Sequence, residues 1–279
     1  MSFPPLSPSA SIDLLIATIG RKAELDRLLT SLEGQTCKNF RIFLADQNQP
    51  GYLDNMLARH PGLPIIRTML PPQGVSVARN VLLERAAAEI IVFPDDDCWY
   101  AADTLERVFG AFRAHPSCGA LLGVWTPSAA ASVPRMAEGV VSRTGLFSLA
   151  GTCVQFFRRD AVQGLRFDPL LGPGTGLPYG CGEDTDFLLY AHAQTEVRRY
   201  RDIRVFHPSP MDALPPRQKV ASYAAGRMYL LKKHKFPLWF VLVNVLYPLC
   251  LAPVEALKCG CAHGRYRWRM FCERLRNLL

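Results

Sequence analysis

The first hundred residues alternate short apolar runs with segments of helical spacing, and this alternation limits the fold more than any other feature. The apolar runs, rich in β-branched residues, lie at 12–20, 40–48, 63–70 and 89–94. Strands that alternate with helices are joined by right-handed crossovers within one sheet. We therefore predict an α/β fold, a Rossmann-like, mostly parallel sheet flanked by helices.

Polar side chains stand where these predicted strands end. Thr18 and Asp46 end the first two runs, and Asp95, Asp96 and Asp97 follow the fourth. In open α/β sheets, ligands bind outside the carboxyl ends of the strands. Adjacent carboxylates repel one another, and they suit a hard divalent cation such as Mg²⁺, which takes one or two carboxylates plus substrate phosphates. A polar loop that caps the next helix is the alternative interpretation.

Five short motifs along the chain resemble those of an inverting family-2 glycosyltransferase with the nucleotide-binding GT-A fold. They are "ATIGR", "LADQN", "GVSVARN", "FPDDDC" and "GEDTDF", in the expected order across about residues 11–210. The resemblance implies transfer of a hexose or deoxyhexose from a nucleotide-diphosphate sugar to a hydroxyl of a glycan or lipid-linked acceptor. It also implies Mn²⁺ or Mg²⁺ as cofactor. The "DQN" sequence departs from many relatives, which have a second acid there, and this leaves the donor base and sugar open.

On the donor side, the resemblance assigns roles to four residues before the aspartates. Thr18 and Arg21 would border the nucleotide, and Asp46 would accept a hydrogen bond from a ring N–H of the base. Arg79 would face the nucleotide, where a guanidinium fits a base carbonyl or a phosphate. Asp46 as a helix cap or surface acid and Arg79 as a structural ion pair with a strand-end acid remain open.

The resemblance also implies a cation site. Asp95 would contact the ribose and the metal, Asp97 would bind the metal, and Asp96 would support either. His207, which follows another strand-like run, would be a further ligand, since a neutral imidazole suits Mn²⁺. A purely structural histidine is the alternative.

The acids of "GEDTDF" would serve the acceptor. The resemblance assigns the general base to Asp184, with Glu183 as its catalytic neighbour. Like charges on Glu183 and Asp186 are expected to raise the proton affinity of Asp184. Alternatively, these acids only complement the dipole of the helix that begins there.

The last third of the chain combines positive charge with an apolar run. Residues 201–279 hold 14 Lys and Arg against 4 Asp and Glu, and residues 236–254 carry no charge. That length permits a membrane span. Pro248 is expected to divide the run, Asn244 lies in its middle, and both flanks are basic, which favours helices in the membrane interface. A hairpin packed on the catalytic domain or on a dimer partner is the alternative.

These patterns predict two domains and a location. Residues 1–215 would form the catalytic domain, with a nucleotide-binding half at about 11–118 and an acceptor half at about 119–215. Residues 216–279 would form a helical membrane-associating segment that contacts anionic inner-leaflet lipid. Nine cysteines without regular spacing indicate free thiols, and hence the cytoplasmic face of the inner membrane. A homodimer is left open, and nucleic acid is not expected as a partner because the positive charge belongs to the apolar tail.

Two other functions compete with glycosyl transfer. A sugar-nucleotide nucleotidyltransferase also needs a cation held by acids, but it has no use for the "GED" pair and would show a Gly-rich basic loop after the first strand. A non-catalytic membrane-bound partner subunit is the second alternative. Retention of both "DDD" and "GED" argues against it.

Overall fold

A computed structural model describes residues 3, 6, 11–148, 151–208 and 214–278 of the chain. The strands are β1 (Ile12–Thr18), β2 (Phe40–Asp46), β3 (Ile65–Met69), β4 (Ile90–Val92), β5 (Trp99–Tyr100), β6 (Cys118–Thr126), β7 (Gly139–Val140), β8 (Gln155–Arg158) and β9 (Glu196–Phe206). The α-helices are α1 (Lys22–Glu33), α2 (Asp54–Leu57), α3 (Val75–Leu83), α4 (Thr104–Ala114), α5 (Glu183–Gln194), α6 (Arg217–Lys233), α7 (Leu238–Cys259) and α8 (Cys261–Arg276).

The strands join in one sheet with the order β3-β2-β1-β4-β8-β6-β9-β5, and β7 pairs with β9. The pairings among β3, β2, β1 and β4 are parallel. Strand β8 is inserted antiparallel between β4 and β6, while β6 and β9 are parallel. The predicted α/β fold with flanking helices is confirmed, and the sheet is mixed because its second half contains antiparallel pairs.

Burial on both faces of the sheet explains why the first strands read as continuous apolar runs. Leu14 and Ile16 of β1 enter one hydrophobic cluster, and Leu15 enters the cluster on the other face. Helix α1 covers the first face with the leucines whose spacing predicts a helix, namely Leu25, Leu28, Leu29 and Leu32, all of them buried. Helix α3 covers the second face with Ala78 and Leu82.

Helix α6 packs into the same core as the sheet. Met228, Leu230 and Leu231 share a buried cluster with strand residues on the second face. After α6, Phe236 and Phe240 continue this contact. Their rings lie 4.9 Å and 5.3 Å from the ring of Phe147. The sequence pattern assigns α6 to a separate segment, and we propose instead that the α/β domain extends beyond residue 215 to include it.

The same helix contacts the backbone that leads into α5. Ser222 Oγ accepts a hydrogen bond of 2.8 Å from the N–H of Gly180. Gly226 lies so close to Cys181 that a Cβ atom on Gly226 would overlap the Cys181 carbonyl oxygen. The start of α5 is therefore supported by α6, so the position of Glu183 and Asp184 depends on a helix from the tail.

Helix α7 is continuous through Pro248 and Pro253, so the prediction that Pro248 divides the apolar run is wrong. A proline removes one backbone donor and often bends a helix without ending it when neighbouring groups compensate. Asn244 is buried and its amide donates to Phe240 O at 3.0 Å, which removes the cost of a polar group in the run. By length and composition, α7 would be able to cross a bilayer.

One face of α7 packs on the domain and the other is open. Phe240, Val241 and Val245 are buried in the core. The outer face exposes large apolar side chains, among them Leu238, Trp239, Val243, Leu246 and Tyr247. Helix α8 packs against α7 at Gly264, where a Cβ atom would lie 2.7 Å from Ala256 Cβ. Helices α7 and α8 thus form a helical hairpin with one apolar face turned outward.

We expect Gly226→Ala to destabilise the protein by about 1–3 kcal/mol, because the added methyl group must displace backbone where α6 meets Cys181. Gly110→Ala is the matched control. Gly110 lies inside α4 with open space around its Cα, so alanine should stabilise the protein by up to about 1 kcal/mol. Urea unfolding of the full chain measures both. Equal stability of the two variants would mean that α6 does not pack on the start of α5.

Candidate active site

Three strand ends form one edge of the sheet. Thr18 ends β1, Asp46 ends the adjacent β2, and Asp95 forms a parallel bridge with Ala17 just beyond β4. The structure thus brings together the strand-end residues that the sequence singles out.

Asp96 is the most buried of the three aspartates. It accepts hydrogen bonds from Thr18 Oγ1 at 2.8 Å and from the Arg21 guanidinium at 3.0 Å. Burial raises the pKa of Asp96 to about 6, against the opposing charge of Arg21. Asp96 therefore fixes the loop to β1, while its neighbours Asp95 and Asp97 are partly exposed.

Asp97 lies between a guanidinium and an imidazole. The Arg21 guanidinium donates to Asp97 Oδ2 at 2.5 Å, and His207 Nε2 lies 3.2 Å from Asp97 Oδ1. Burial would raise the pKa of Asp97, but the hydrogen bond and charge of His207 and the charge of Arg21 hold it below its ordinary value. Arg21, which the resemblance places beside the nucleotide, is thus the counter-ion of two aspartates.

Asp97 and His207 fit a divalent cation. His207 Nδ1 lies 2.7 Å from Pro208 O. When Nδ1 donates that bond, the Nε2 lone pair faces the carboxylate oxygen, and a cation can join the two. Among the described residues, no group of three or more His, Cys, Asp or Glu could hold a metal ion. Two protein ligands agree with a cation that also binds substrate phosphates.

Asp95 faces a different partner. Its Oδ1 accepts hydrogen bonds from Arg79 at 2.6 Å and from Thr152 Oγ1 at 2.9 Å. Thr152 lies just before β8, whose antiparallel insertion beside β4 brings it here. The sequence does not indicate Thr152, because no local pattern marks a residue that reaches the loop through strand order.

Arg79 joins the two acidic motifs. Its side chain is 2% exposed, and it donates to Asp95 at 2.6 Å and to Glu183 Oε1 at 3.3 Å. The guanidinium is buried between carboxylates, and contact of Arg79 with a nucleotide stays a prediction. The alternative, a structural ion pair with a strand-end acid, describes what is observed.

The acids at the start of α5 differ in surroundings. Burial and the nearby charge of Asp184 raise the pKa of Glu183 to about 7, although Arg79 opposes this. Burial also raises the pKa of Asp184, and the charge of Asp95 adds to it. Asp184 Oδ1 accepts the N–H of Thr185 at 2.6 Å.

Asp186 does not act on Asp184 as expected. It is fully buried and lies 2.8 Å from Lys233 Nζ and 2.6 Å from His234 Nε2. Successive helical residues project about 100° apart, so Asp184 and Asp186 lie on nearly opposite sides of α5. The charge of Asp186 is neutralised at the end of α6, and the charge that raises the Asp184 pKa comes from Asp95 instead.

Asp46 is also committed to protein groups. Its Oδ2 accepts two bonds from Arg67, at 2.6 Å and 2.8 Å, and its Oδ1 accepts the backbone and side-chain N–H groups of Asn48. A carboxylate offers about four acceptor positions. A nucleotide base can therefore bond to Asp46 only if Asn48 or Arg67 releases one.

Comparison with known proteins supplies the context for this geometry. Residues 13–148 match the model of "Glycosyl transferase family 2". The chain is 29% identical over 201 residues to the succinoglycan biosynthesis protein ExoM of Rhizobium meliloti (strain 1021), an alignment that covers 65% of this chain. The chain spans 61% of the length of that relative.

Solved structures share the fold at low identity. The mannosyltransferase PcManGT from Pyrobaculum calidifontis, solved with GDP-Man and Mn²⁺, superposes with a TM-score of 0.70 and 15% identity over 98% of this chain and 89% of its own. S. aureus TarS 1–349 in complex with UDP has a TM-score of 0.60 and 17% identity over 96% of this chain and 90% of its own. At this identity the two structures establish a common architecture.

Proposed function

The chain belongs to glycosyl transferase family 2 and has a GT-A-type fold, and from this premise we propose that it is an inverting, metal-dependent glycosyltransferase. It would transfer a hexosyl or deoxyhexosyl group from a nucleotide-diphosphate donor to a hydroxyl of a glycan or lipid-linked acceptor. Fold and family alone do not define a reaction, so the proposal must rest on the site.

The observation that carries the proposal is the contact of Arg79 with both acidic motifs. Asp95 belongs to the strand-end loop and Glu183 to the start of α5, and a single buried guanidinium binds both. Sugar transfer needs a donor site and a proton acceptor side by side. A nucleotidyltransferase would need only the first, and the paired arrangement therefore favours glycosyl transfer.

On the donor side, the strand-end loop would bind the nucleotide diphosphate. Asp95 would contact the ribose, and Asp97 with His207 would hold Mn²⁺ or Mg²⁺. When bound, the cation would neutralise the diphosphate and act as a Lewis acid for its departure. Arg21, now bonded to Asp96 and Asp97, would turn toward the phosphates, since a guanidinium binds phosphate oxygens well.

On the acceptor side, Asp184 would be the general base. The acceptor oxygen attacks the anomeric carbon from the face opposite the diphosphate, the bond from that carbon to the diphosphate breaks, and Asp184 Oδ takes the hydroxyl proton. Burial raises the pKa of Asp184, which brings it nearer the operating pH where a base works best. Glu183 would orient the start of the helix through Arg79.

The relatives indicate the substrate classes. One solved relative binds UDP, another binds GDP-Man with Mn²⁺, and the relative ExoM serves polysaccharide biosynthesis. We propose a nucleotide-diphosphate donor of this kind and a cell-surface glycan precursor as acceptor.

Asp97→Asn and Asp184→Asn should separate the two halves of the site. Asp97→Asn removes a charge from the cation site, so stabilisation by a nucleoside diphosphate with Mn²⁺ should largely vanish. Asp184→Asn is the matched control, with the same change in charge. It should bind nucleotide normally and lose about 10²–10⁴-fold in transfer rate, the usual cost of removing a general base. Thermal shift with UDP, TDP and GDP and a transfer assay measure both.

Two results would overturn these assignments. Unchanged metal-dependent nucleotide affinity in Asp97→Asn would show that Asp97 does not bind the cation. Loss of nucleotide binding in Asp184→Asn, with transfer near the wild-type rate, would make Asp184 a binding residue. Failure of every nucleotide to bind the wild-type protein would contradict the function itself.

We further propose that α7 and α8 attach the enzyme to anionic lipid at the cytoplasmic face of the inner membrane. The inner face of α7 is fixed to the domain core, while its outer face exposes apolar side chains. A helix in this arrangement suits the interface, because a span would pull Phe240 and Val245 out of the core. Basic residues of the tail would add about 1 kcal/mol each near an anionic leaflet.

Replacing Trp239 and Tyr247 by serine should weaken binding to anionic vesicles at least ~10-fold, since buried apolar side chains contribute roughly 1.5–3 kcal/mol each. Ile66→Ser with Leu177→Ser is the control, because these residues are similarly apolar and exposed but lie outside the tail. High salt should also weaken binding of the wild type. Vesicle binding unaffected by the first pair, or outer-side labelling of Cys259 in intact cells, would contradict the proposal.

A further inference from the structure

Two arginines beside the proposed base are paired with no carboxylate in the described part of the chain. Arg227 belongs to α6 and Arg274 to α8. Arg227 donates to Phe147 O at 3.3 Å and lies over the Phe147 ring. Arg274 donates to Asn244 O at 2.5 Å, and its buried Nε has no partner. Since a guanidinium has five N–H donors, most of this capacity is unused.

The pair lies where the active site meets the tail. Gly226, the residue before Arg227, lies against Cys181. Its carbonyl oxygen lies 3.7 Å from the position that a Cβ atom on Gly182 would occupy. Gly182 is the N-cap of α5, directly before Glu183 and Asp184. On α8, Met270, one helical turn before Arg274, packs against Val220 and Ala224 of α6. The two arginines therefore lie near the start of α5 and against α7, Arg227 through Phe147 and Arg274 through Asn244.

Electrostatics within this region agree with that placement. Burial lowers the pKa of Arg274 to about 10, and the positive charge of Arg227 adds to the effect. Burial also lowers the pKa of Arg227, and the charge of Asp184 only partly offsets this. Removing a cation from water without a counter-ion costs free energy, and natural proteins often accept such a cost at functional sites. Neither arginine forms a salt bridge with a described carboxylate, and Asp184 acts on Arg227 only from a longer distance.

We propose that Arg227 and Arg274 bind the phosphate group of a lipid-linked acceptor, a phosphate or diphosphate ester of a long-chain lipid alcohol. This inference rests on the proposed function and specifies its acceptor. The phosphate lies at the two guanidinium groups, which can hold it in bidentate fashion. The lipid chain follows the exposed apolar face of α7, and the sugar hydroxyl reaches Asp184. A water-soluble glycan would use neither the arginines nor the apolar face.

The test measures binding of a short prenyl diphosphate to the full chain in neutral detergent micelles with EDTA, so that no metal holds the diphosphate at Asp97. Its parent alcohol and inorganic diphosphate are the comparison probes. The wild type should bind the prenyl diphosphate more tightly than either. Replacing both Arg227 and Arg274 by glutamine should weaken this binding at least ~10-fold, because each charged hydrogen bond lost is worth about 1.5–3 kcal/mol.

Arg265→Gln with Arg269→Gln is the matched control, since both residues are exposed on α8 and the change in charge is the same. This control should bind the prenyl diphosphate like the wild type. Arg227→Lys with Arg274→Lys keeps the charges without the forked geometry, and should retain more affinity than the glutamine pair. It also provides a folded variant if the glutamine pair is unstable. Without ligand, the glutamine pair should unfold at a temperature no lower than the wild type.

Three results would overturn the proposal. The first is an equal loss of prenyl diphosphate affinity in the test and control pairs, and the second is no loss in the test pair. The third is binding of inorganic diphosphate as tight as that of the prenyl diphosphate, which would indicate a site for a free anion. Nucleotide binding with Mn²⁺ should be unchanged in every variant. If it is absent from the wild type, the proposed function fails, and this outcome is separate from failure of the acceptor site.

Discussion

The buried guanidinium of Arg79 is the interaction on which the rest of the site depends. It contacts Asp95, Thr152 and Glu183, which come from three distant parts of the chain. Removing one partner of a buried ion pair leaves an uncompensated charge, which typically costs about 3–5 kcal/mol. Arg79 therefore determines where the strand-end loop lies relative to the start of α5. We regard it as a positioning residue, since it contacts both halves from a buried position.

The tail completes this arrangement from the other side. Helix α6 supports the backbone before α5 through Ser222 and Gly226. At its end, Lys233 and His234 bind the buried Asp186 of α5. Helix α7 follows immediately, with its apolar face outward. A membrane bound to α7 would therefore be connected, through the packed helix α6, to the helix that carries the proposed base. We therefore propose that α6 and α7 support the active site as well as membrane binding.

Local sequence patterns predict the elements of the first half and the polar ends of its strands. The leucine spacing in α1 and the apolar run of β1 result from burial in the core. The local sequence is therefore enough to predict both elements. Thr18 and Asp95 could therefore be placed at one edge of the sheet. Contacts between distant residues could not be predicted. Arg79 and Glu183 are 104 residues apart, and no local pattern distinguishes a guanidinium that faces a ligand from one that bridges two acids.

The same limit applies to Asp46 and to the tail. Asp46 is bonded to Arg67 of the neighbouring strand, a pairing that depends on strand order. Pro248 lies within a continuous helix because α7 packs on the core and on α8, and tertiary contacts override the local preference of proline. Local motifs therefore indicate which polar residues lie at the strand ends, but they do not indicate the partner of each residue.

The most direct test of the account is a double-mutant cycle between Asp95→Asn and Glu183→Gln, measured by urea unfolding at pH 8, above the Glu183 pKa of about 7. Each single variant leaves Arg79 one carboxylate, whereas the double variant leaves it none. The double variant should therefore lose about 1–3 kcal/mol more than the two single losses combined. In an Arg79→Met background this excess should disappear. Additive losses with Arg79 present would contradict the claim that this residue holds the two halves of the site together.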